Sequence, residues 1–227
     1  MQHLTKLFTL LELTRNMPQH GYALSGIGKA EQSDIAQHQY LTTLIAWQLA
    51  RTINRRGGNV NLQRTMECAL VHDVGELLGS DINFHYGRSN PNARVAAKQF
   101  EAENINFLSG FFERDQDYFK SLITDFEEVE SDESVIAKTA DLLECIHYKS
   151  SINKLGKSDI EETKKTLEEL SDKCKNLQNG LLLKKIIAVW QENFGKETPV
   201  EIITGKKNEP SANEQRTAEA TNPAPHL

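Results

Sequence analysis

His72 and Asp73 stand side by side on an apolar-periodic stretch, with His38 well upstream and Asp141 well downstream. Two imidazoles and two carboxylates can close around one divalent cation. Imidazole suits Zn, Fe, Co, Ni and Mn, and carboxylate suits the harder end of that series. A His-Asp dipeptide carries little weight alone. With 7 His and 10 Asp in 227 residues, roughly 0.3 such pairs arise by chance, the ordinary risk of a short motif. The surroundings matter more. Glu76 follows His72 by four residues and Asp73 by three, a spacing that puts all three on one face of a helix. The segment from Met66 to Leu78 reads as that helix, rich in Leu, Ala, Met and Glu and free of Pro. Polar groups buried there without partners would cost several kcal/mol. A metal with a water-filled mouth is one compensation, and a satisfied hydrogen-bond network is the other.

The elements that must position these residues are helical. Leu4, Leu7, Phe8 and Leu11 recur at helical spacing and give an amphipathic first helix. Asn16 to Tyr22 is rich in turn formers. A long helix is predicted from Ile35 to Arg56, with Leu41, Leu44, Ile45, Gln48 and Leu49 as its stripe and Gly57-Gly58 as its stop. Asn61 can cap the next helix, which carries His72-Asp73 and ends near Gly79. Residues 81–92 read as a loop. Further helices are predicted near 93–112, 115–127 and 132–153, from Ser158-Asp159 to about 178, and from Leu181 to Phe194. Trp47 and Trp190 are expected in the core. Val200 to Thr204 could add one strand at most. The fold class is therefore all-α, a helical bundle. After Lys206 the chain turns to Pro, Ser, Asn and charge, the composition of a disordered tail. The division expected is one domain over 1–195 and a mostly disordered C-terminal tail over 196–227.

Composition bounds the function. Hydrophobic residues make up 38% of the chain, charged residues 26%, and the mean hydropathy is −0.52, which predicts a soluble protein with an ample core. The formal net charge of −6 argues against a general nucleic-acid surface, which would be basic. A local basic pocket for one phosphate remains open. Cys68, Cys145 and Cys174 are irregularly spaced and odd in number, so no disulfide framework follows. Each reads as a small core or half-exposed thiol in a reducing cytosol. No run approaches the ~20 apolar residues of a membrane span, and Glu12 interrupts the apolar N-terminus where a signal peptide would continue. The expected location is cytoplasmic.

The ordered blocks resemble a known family. Met17-Pro18-Gln19-His20-Gly21-Tyr22 is similar to Pro-Arg-x-Gly-Trp, and Asp34 to His38 to Ser-Val-Ala-Glu-His. Ala69 to Glu76, followed by Ser80-Asp81-Ile82, is similar to His-Asp-x-x-Glu…Gly-Asp-Ile, and Phe126 to Ser134 leads into Lys138-Thr139-Ala140-Asp141. Together they resemble the HD-domain metal-dependent phosphohydrolases, and among them the 5′-deoxynucleotidase branch. The resemblance spans most of residues 4–155. It implies that His38, His72, Asp73 and Asp141 bind one divalent transition metal (Mn, Co, Zn, Fe or Ni). It makes Glu76 the acid/base group or the residue that positions the attacking water, and it places Asp81, the second candidate catalytic residue, at the mouth against the sugar. Gln19 and Tyr22 stand where the family has Arg and Trp, and Gln37 where it has Glu. Arg15 or Arg88 could supply the missing charge, so Gln19, Tyr22, Asp81 and Arg88 are the candidate substrate contacts. The implied activity is release of phosphate from nucleoside 5′-monophosphates, deoxynucleotides included. A nucleotide-sensing HD module with little catalysis is the alternative, and a helical interaction protein the third. The implied partner is a small nucleotide, with no nucleic acid or membrane, and a homodimer is compatible.

Overall fold

In the computed structural model of the protein, residues 2–19, 22, 26–79, 82 and 84–206 are described. Among them the order is α1 (Gln2–Leu11), α2 (Ile35–Arg55), α3 (Leu62–Val71), α4 (Phe84–Ser89), α5 (Pro91–Ser109), α6 (Gln116–Glu128), α7 (Asp132–Ser151), α8 (Lys157–Ser171), α9 (Leu177–Asn193) and α10 (Pro199–Thr204). No strand occurs among the described residues. Two isolated bridges, Pro18 with Asp34 and Leu77 with Gly79, are the nearest approach to sheet. The all-α fold class therefore stands. The chain forms two compact units, Met1–Ala188 and Val189–Leu227. In the second, the Trp190 ring packs on Phe194 at 4.9 Å between centroids, and Thr198 caps α10 by accepting from the Glu201 N–H. This helix replaces the strand that Val200–Thr204 allowed. The expected disordered tail beyond 206 lies outside the described residues.

Within the first unit α2, α3 and α7 pack on one another, with α6 against α3 and α8 against α7. Local chemistry sets the ends. The Asp34 carboxylate accepts from the Gln37 N–H and starts α2, and Asn61 does the same for α3 through the Arg64 N–H, as N-cap side chains do. Gly57 ends α2 at φ 90°. Gly58 then lies so close that a Cβ there would sit 2.4 Å from Ile53 Cγ2. Ser131 starts α7 by accepting from the Ser134 N–H. Asp125 ties this cap to α3: its carboxylate accepts from Arg64 Nη2 at 2.7 Å and from Ser131 Oγ at 2.8 Å.

Three expectations are corrected. The helix carrying His72-Asp73 does not run to Gly79. It stops at Val71, His72 and Asp73 form a turn, and Val74–Glu76 is a 3-10 turn. The N–H groups of Glu76, Leu77 and Gly79 reach back three residues rather than four, and a tertiary contact holds the turn: Asn104 Nδ2 of α5 donates to the Gly75 carbonyl at 2.9 Å and the Gly79 carbonyl at 3.1 Å. The buried face of α2 is also rotated from the predicted stripe. His38, Thr42, Ala46, Leu49, Ala50 and Ile53 are buried, while Leu41, Leu44 and Trp47 are exposed. Small residues on that face let α3 and α7 approach the His38 side, so packing overrides the count of large apolar residues. Trp47 instead lies beneath Arg51, whose guanidinium carbon is 5.4 Å from its ring. Finally, the predicted loop over 81–92 contains the short helix α4.

Candidate metal centre and cleft

His38 projects from the first turn of α2, His72 and Asp73 from the turn after α3, and Asp141 from the middle of α7. The packing of these elements brings the four side chains together. His38 Nε2 lies 3.1 Å from His72 Nε2, 3.4 Å from Asp73 Oδ2 and 3.4 Å from Asp141 Oδ1. His72 Nε2 lies 3.3 Å from Asp73 Oδ2 and 3.9 Å from Asp141 Oδ1. Bonds of about 2.0–2.2 Å to one cation would put tetrahedral donors roughly 3.3–3.6 Å apart, so the spacing fits.

The outer ring nitrogens decide which atoms face inward. His72 Nδ1 lies 2.8 Å from the Ala69 carbonyl, an acceptor only, so Nδ1 carries the proton and Nε2 keeps its lone pair. His38 Nδ1 lies 2.6 Å from Glu144 Oε2. A carboxylate behind a histidine fixes its orientation and makes it a better metal donor. Both Nε2 lone pairs then face each other among carboxylate oxygens, an arrangement that calls for positive charge between them. The protonation tendencies agree. Burial works against a charged His38, but hydrogen bonds to Asp141 and Glu144 outweigh it and hold the imidazole well above its usual range. Burial alone would raise Asp73 and Asp141. The charge and hydrogen bond of His72 for the first, and the His38 bond and Lys138 charge for the second, hold both carboxyls below the usual carboxylate range. The donor set therefore fits a divalent transition metal.

Asp73 and Asp141 of the cluster line a cleft of about 660 Å³, within the usual size of a small-molecule site, and His38 and His72 are buried behind them. Glu76, Gln19, Tyr22 and Arg88 all line it. Gln19 Nε2 donates to Asp73 Oδ2 at 3.4 Å. Tyr22 is 6% exposed, with its ring 5.2 Å from that of Tyr148 and its hydroxyl raised in pKa by burial and by the neighbouring Cys145. Arg88 is 69% exposed and pairs with Glu162 at 3.3 Å. Arg15 does not line the cleft and pairs with Glu12. Asp81 lies outside the described residues.

Four further residues join the site without having been singled out by sequence. Glu144 supports His38, as above. Cys145, one turn after Asp141, has its Sγ 3.8 Å from Asp141 Oδ1, and it can share a cation with His38 and Asp141. Burial and Asp141 push its thiol up to about 12. Glu101 lines the wall, its carboxyl pushed up to about 7 by burial, with Glu127 and Asp73 adding to the effect. Lys138 Nζ lies 3.6 Å from Asp141 Oδ2 and 4.1 Å from the centre of the Phe126 ring. Burial works against its charge, but Asp141, Glu127 and Asp73 hold it above the ordinary lysine value. Phe126 also packs on His72, with 4.6 Å between ring centroids. The signal available in sequence was the spacing of residues 138, 141, 144 and 145, which share a face of α7.

None of the described helices is long and apolar enough to cross a membrane. Two solved structures are similar in fold. One is the PH0347 protein from Pyrococcus horikoshii OT3, at 21% identity and a TM-score of 0.60, covering 83% of this chain and 98% of that one. The other is a conserved hypothetical protein from Pyrococcus furiosus, at 21% identity and a TM-score of 0.62, covering 83% and 99%. No curated protein matches. The model of the HD domain family matches residues 15–182, a span that holds all four clustered side chains. The chain belongs to the HD domain family, which in general comprises metal-dependent phosphohydrolases.

Proposed function

We propose that the protein hydrolyses the phosphate ester of nucleoside 5′-monophosphates, deoxynucleotides included. The observation that carries this reading is the convergence of His38, His72, Asp73 and Asp141 beside a cleft that Asp73, Asp141 and Glu76 line. When bound there, a divalent cation would lower the pKa of a water and neutralise phosphoryl oxygens. The rest falls to the protein. Glu76 sits on the turn that follows Asp73, its backbone N–H donating to the Asp73 carbonyl at 2.9 Å, so its carboxylate is carried beside the cluster by a short, fixed segment. In the proposed reaction the water oxygen bonds to phosphorus, the bond from phosphorus to O5′ breaks, and Glu76 takes a proton from the water and passes it to the leaving O5′. Phosphoryl transfer asks mainly for such positioning and charge neutralisation.

The cleft suits a small nucleotide. Its wall combines apolar Ile82, Val129, Leu142, Ile146 and Leu170 with cationic side chains, one surface for a nucleoside and another for a phosphate. Asp81 is proposed to meet the sugar, with Gln19, Tyr22 and Arg88 completing the substrate contacts. The test is phosphate release from a panel of nucleoside and deoxynucleoside monophosphates, with Mn²⁺, Co²⁺, Zn²⁺ and Mg²⁺ in turn. Turnover should favour the transition metals, because Mg²⁺ prefers all-oxygen ligands. Tight nucleotide binding with no turnover under any metal would refute the enzyme and leave a sensor.

A further inference from the structure

The cleft contains more positive charge than a nucleoside needs, and that charge is distributed unevenly. Lys149 is tied to Asp159 at 3.0 Å, Arg88 to Glu162 at 3.3 Å, and Lys98 to Glu127. Arg94 and Lys173 line the same cleft but stand exposed to solvent, where a charge is screened and contributes little to binding. Gln19 lies against the cluster, but it is an amide whose nitrogen already donates to Asp73, and it brings no charge. Lys138 differs from all of these. Its side chain is only 31% exposed, and its ammonium is held between the Phe126 ring at 4.1 Å and Asp141 Oδ2 at 3.6 Å. The contact with Asp141 is longer than a hydrogen bond. Among the described residues the ammonium makes no hydrogen bond, although it carries three N–H donors. A half-buried cation with unused donors, fixed against one carboxylate of the cluster and facing the cleft, is arranged to receive acceptor oxygens.

We propose that Lys138 is the phosphate-binding cation of this site, receiving the non-bridging oxygens of the substrate's phosphoryl group beside the His38–His72–Asp73–Asp141 cluster. The inference rests on the hydrolase reading for its substrate, but its core is a binding site for a phosphate oxyanion. Phe126 fixes the ammonium from behind while touching His72 on the same ring, so one buried side chain sets the spacing between the cation and the cluster. Fixed cations aimed at phosphoryl oxygens are a recurrent means of stabilising this chemistry, because they need no reorganisation as charge develops. A role confined to balancing the charge of Asp141 would instead appear as a change in metal binding.

The experiment measures inorganic phosphate affinity by calorimetry on Co²⁺-loaded protein, together with metal content. Wild type is compared with Lys138→Met, which keeps the stem and removes the charge, and with Lys138→Arg, which keeps the charge. Lys138→Met should retain its Co²⁺ and weaken phosphate binding by about tenfold to a hundredfold, the usual worth of a charge-assisted hydrogen bond. Lys138→Arg should recover most of the loss. Equal phosphate affinity in wild type and Lys138→Met overturns the proposal, as does loss of metal from Lys138→Met, which would make the residue structural. Because either variant can misfold, a second measurement uses the unmutated chain: saturating phosphate should protect Lys138 from amine acylation, and unchanged acylation overturns the proposal. No phosphate binding by Co²⁺-loaded wild type also overturns it. A protein that binds phosphate through Lys138 but releases none from any nucleoside monophosphate refutes the nucleotide reading alone.

Discussion

Glutamine in place of Glu144 isolates the electrostatic support of the metal centre from its packing. Glu144 and His38 are 2% and 1% exposed, and their contact is 2.6 Å, a short charge-assisted bond in a dry environment. In Glu144→Gln the amide oxygen can still accept from His38 Nδ1–H, so the ring keeps its tautomer and Nε2 still faces the cluster. The negative charge behind the ring is lost, and His38 becomes a weaker donor. Replacing such a partner costs about tenfold to a hundredfold in metal affinity, which is about 1.4–2.8 kcal/mol. Glu144→Ala is a poorer probe, since it leaves a buried N–H without an acceptor and adds about 1–3 kcal/mol of destabilisation. The assay is competition between protein and a chelator for Zn²⁺ or Co²⁺, with thermal melts of the metal-free proteins alongside. Unchanged metal affinity would refute the reasoning, as would an affinity loss fully matched by a less stable metal-free fold.

Replacing His72 or Asp73 by Ala should remove the metal, since each offers a donor atom to the cluster, and elemental analysis that finds full stoichiometry in either variant contradicts the arrangement. Gly75→Ala should cost about 1–3 kcal/mol by overpacking, because the new Cβ would fall 2.9 Å from both Glu101 Cγ and Ile105 Cγ1; a melt unchanged from wild type would mean that α5 yields. Burial raises the Asp125 carboxyl, but hydrogen bonds from Ser131, Arg64 and Ser134 overcome this and hold its pKa below the usual carboxylate value. A depressed folded-state pKa gives stability that is fully present above the unfolded value of about 3.9 and is lost as pH falls through the folded one. Asp125→Asn should therefore be less stable at pH 7 by about 2 kcal/mol and should show a flatter loss of stability below about pH 4, which urea titrations across pH would reveal.

The helical fold was legible in the helix starts: Asn61 caps α3 as its position suggested, and α2 and α7 begin beside the predicted Ile35 and residue 132, where Asp34 and Ser131 prove to be the caps. The four clustered side chains were legible only through the ordered blocks around them, since His38 and Asp141 lie far apart in the chain. What the sequence hid was set by tertiary contact. The turn that follows Val71 is held at Gly75 by Asn104, 29 residues away in the chain. The rotation of α2 exposes Leu41 and Trp47 in favour of Thr42 and Ala46, because close helix approach outweighs apolar bulk on that face. Glu144 and Lys138 look like ordinary charges on a helix until α2 and α6 bring His38 and Phe126 against them.

The most direct test compares single-turnover phosphate release by wild type and Glu76→Gln, each at measured full metal occupancy, on the nucleoside monophosphate that the panel favours. The amide is nearly isosteric but cannot take a proton at neutral pH. Glu76→Gln should keep the metal, the fold and nucleotide affinity while lowering the rate by about 10²–10⁴, the usual worth of a general acid/base. Wild-type turnover in Glu76→Gln, with the metal retained, would contradict the account.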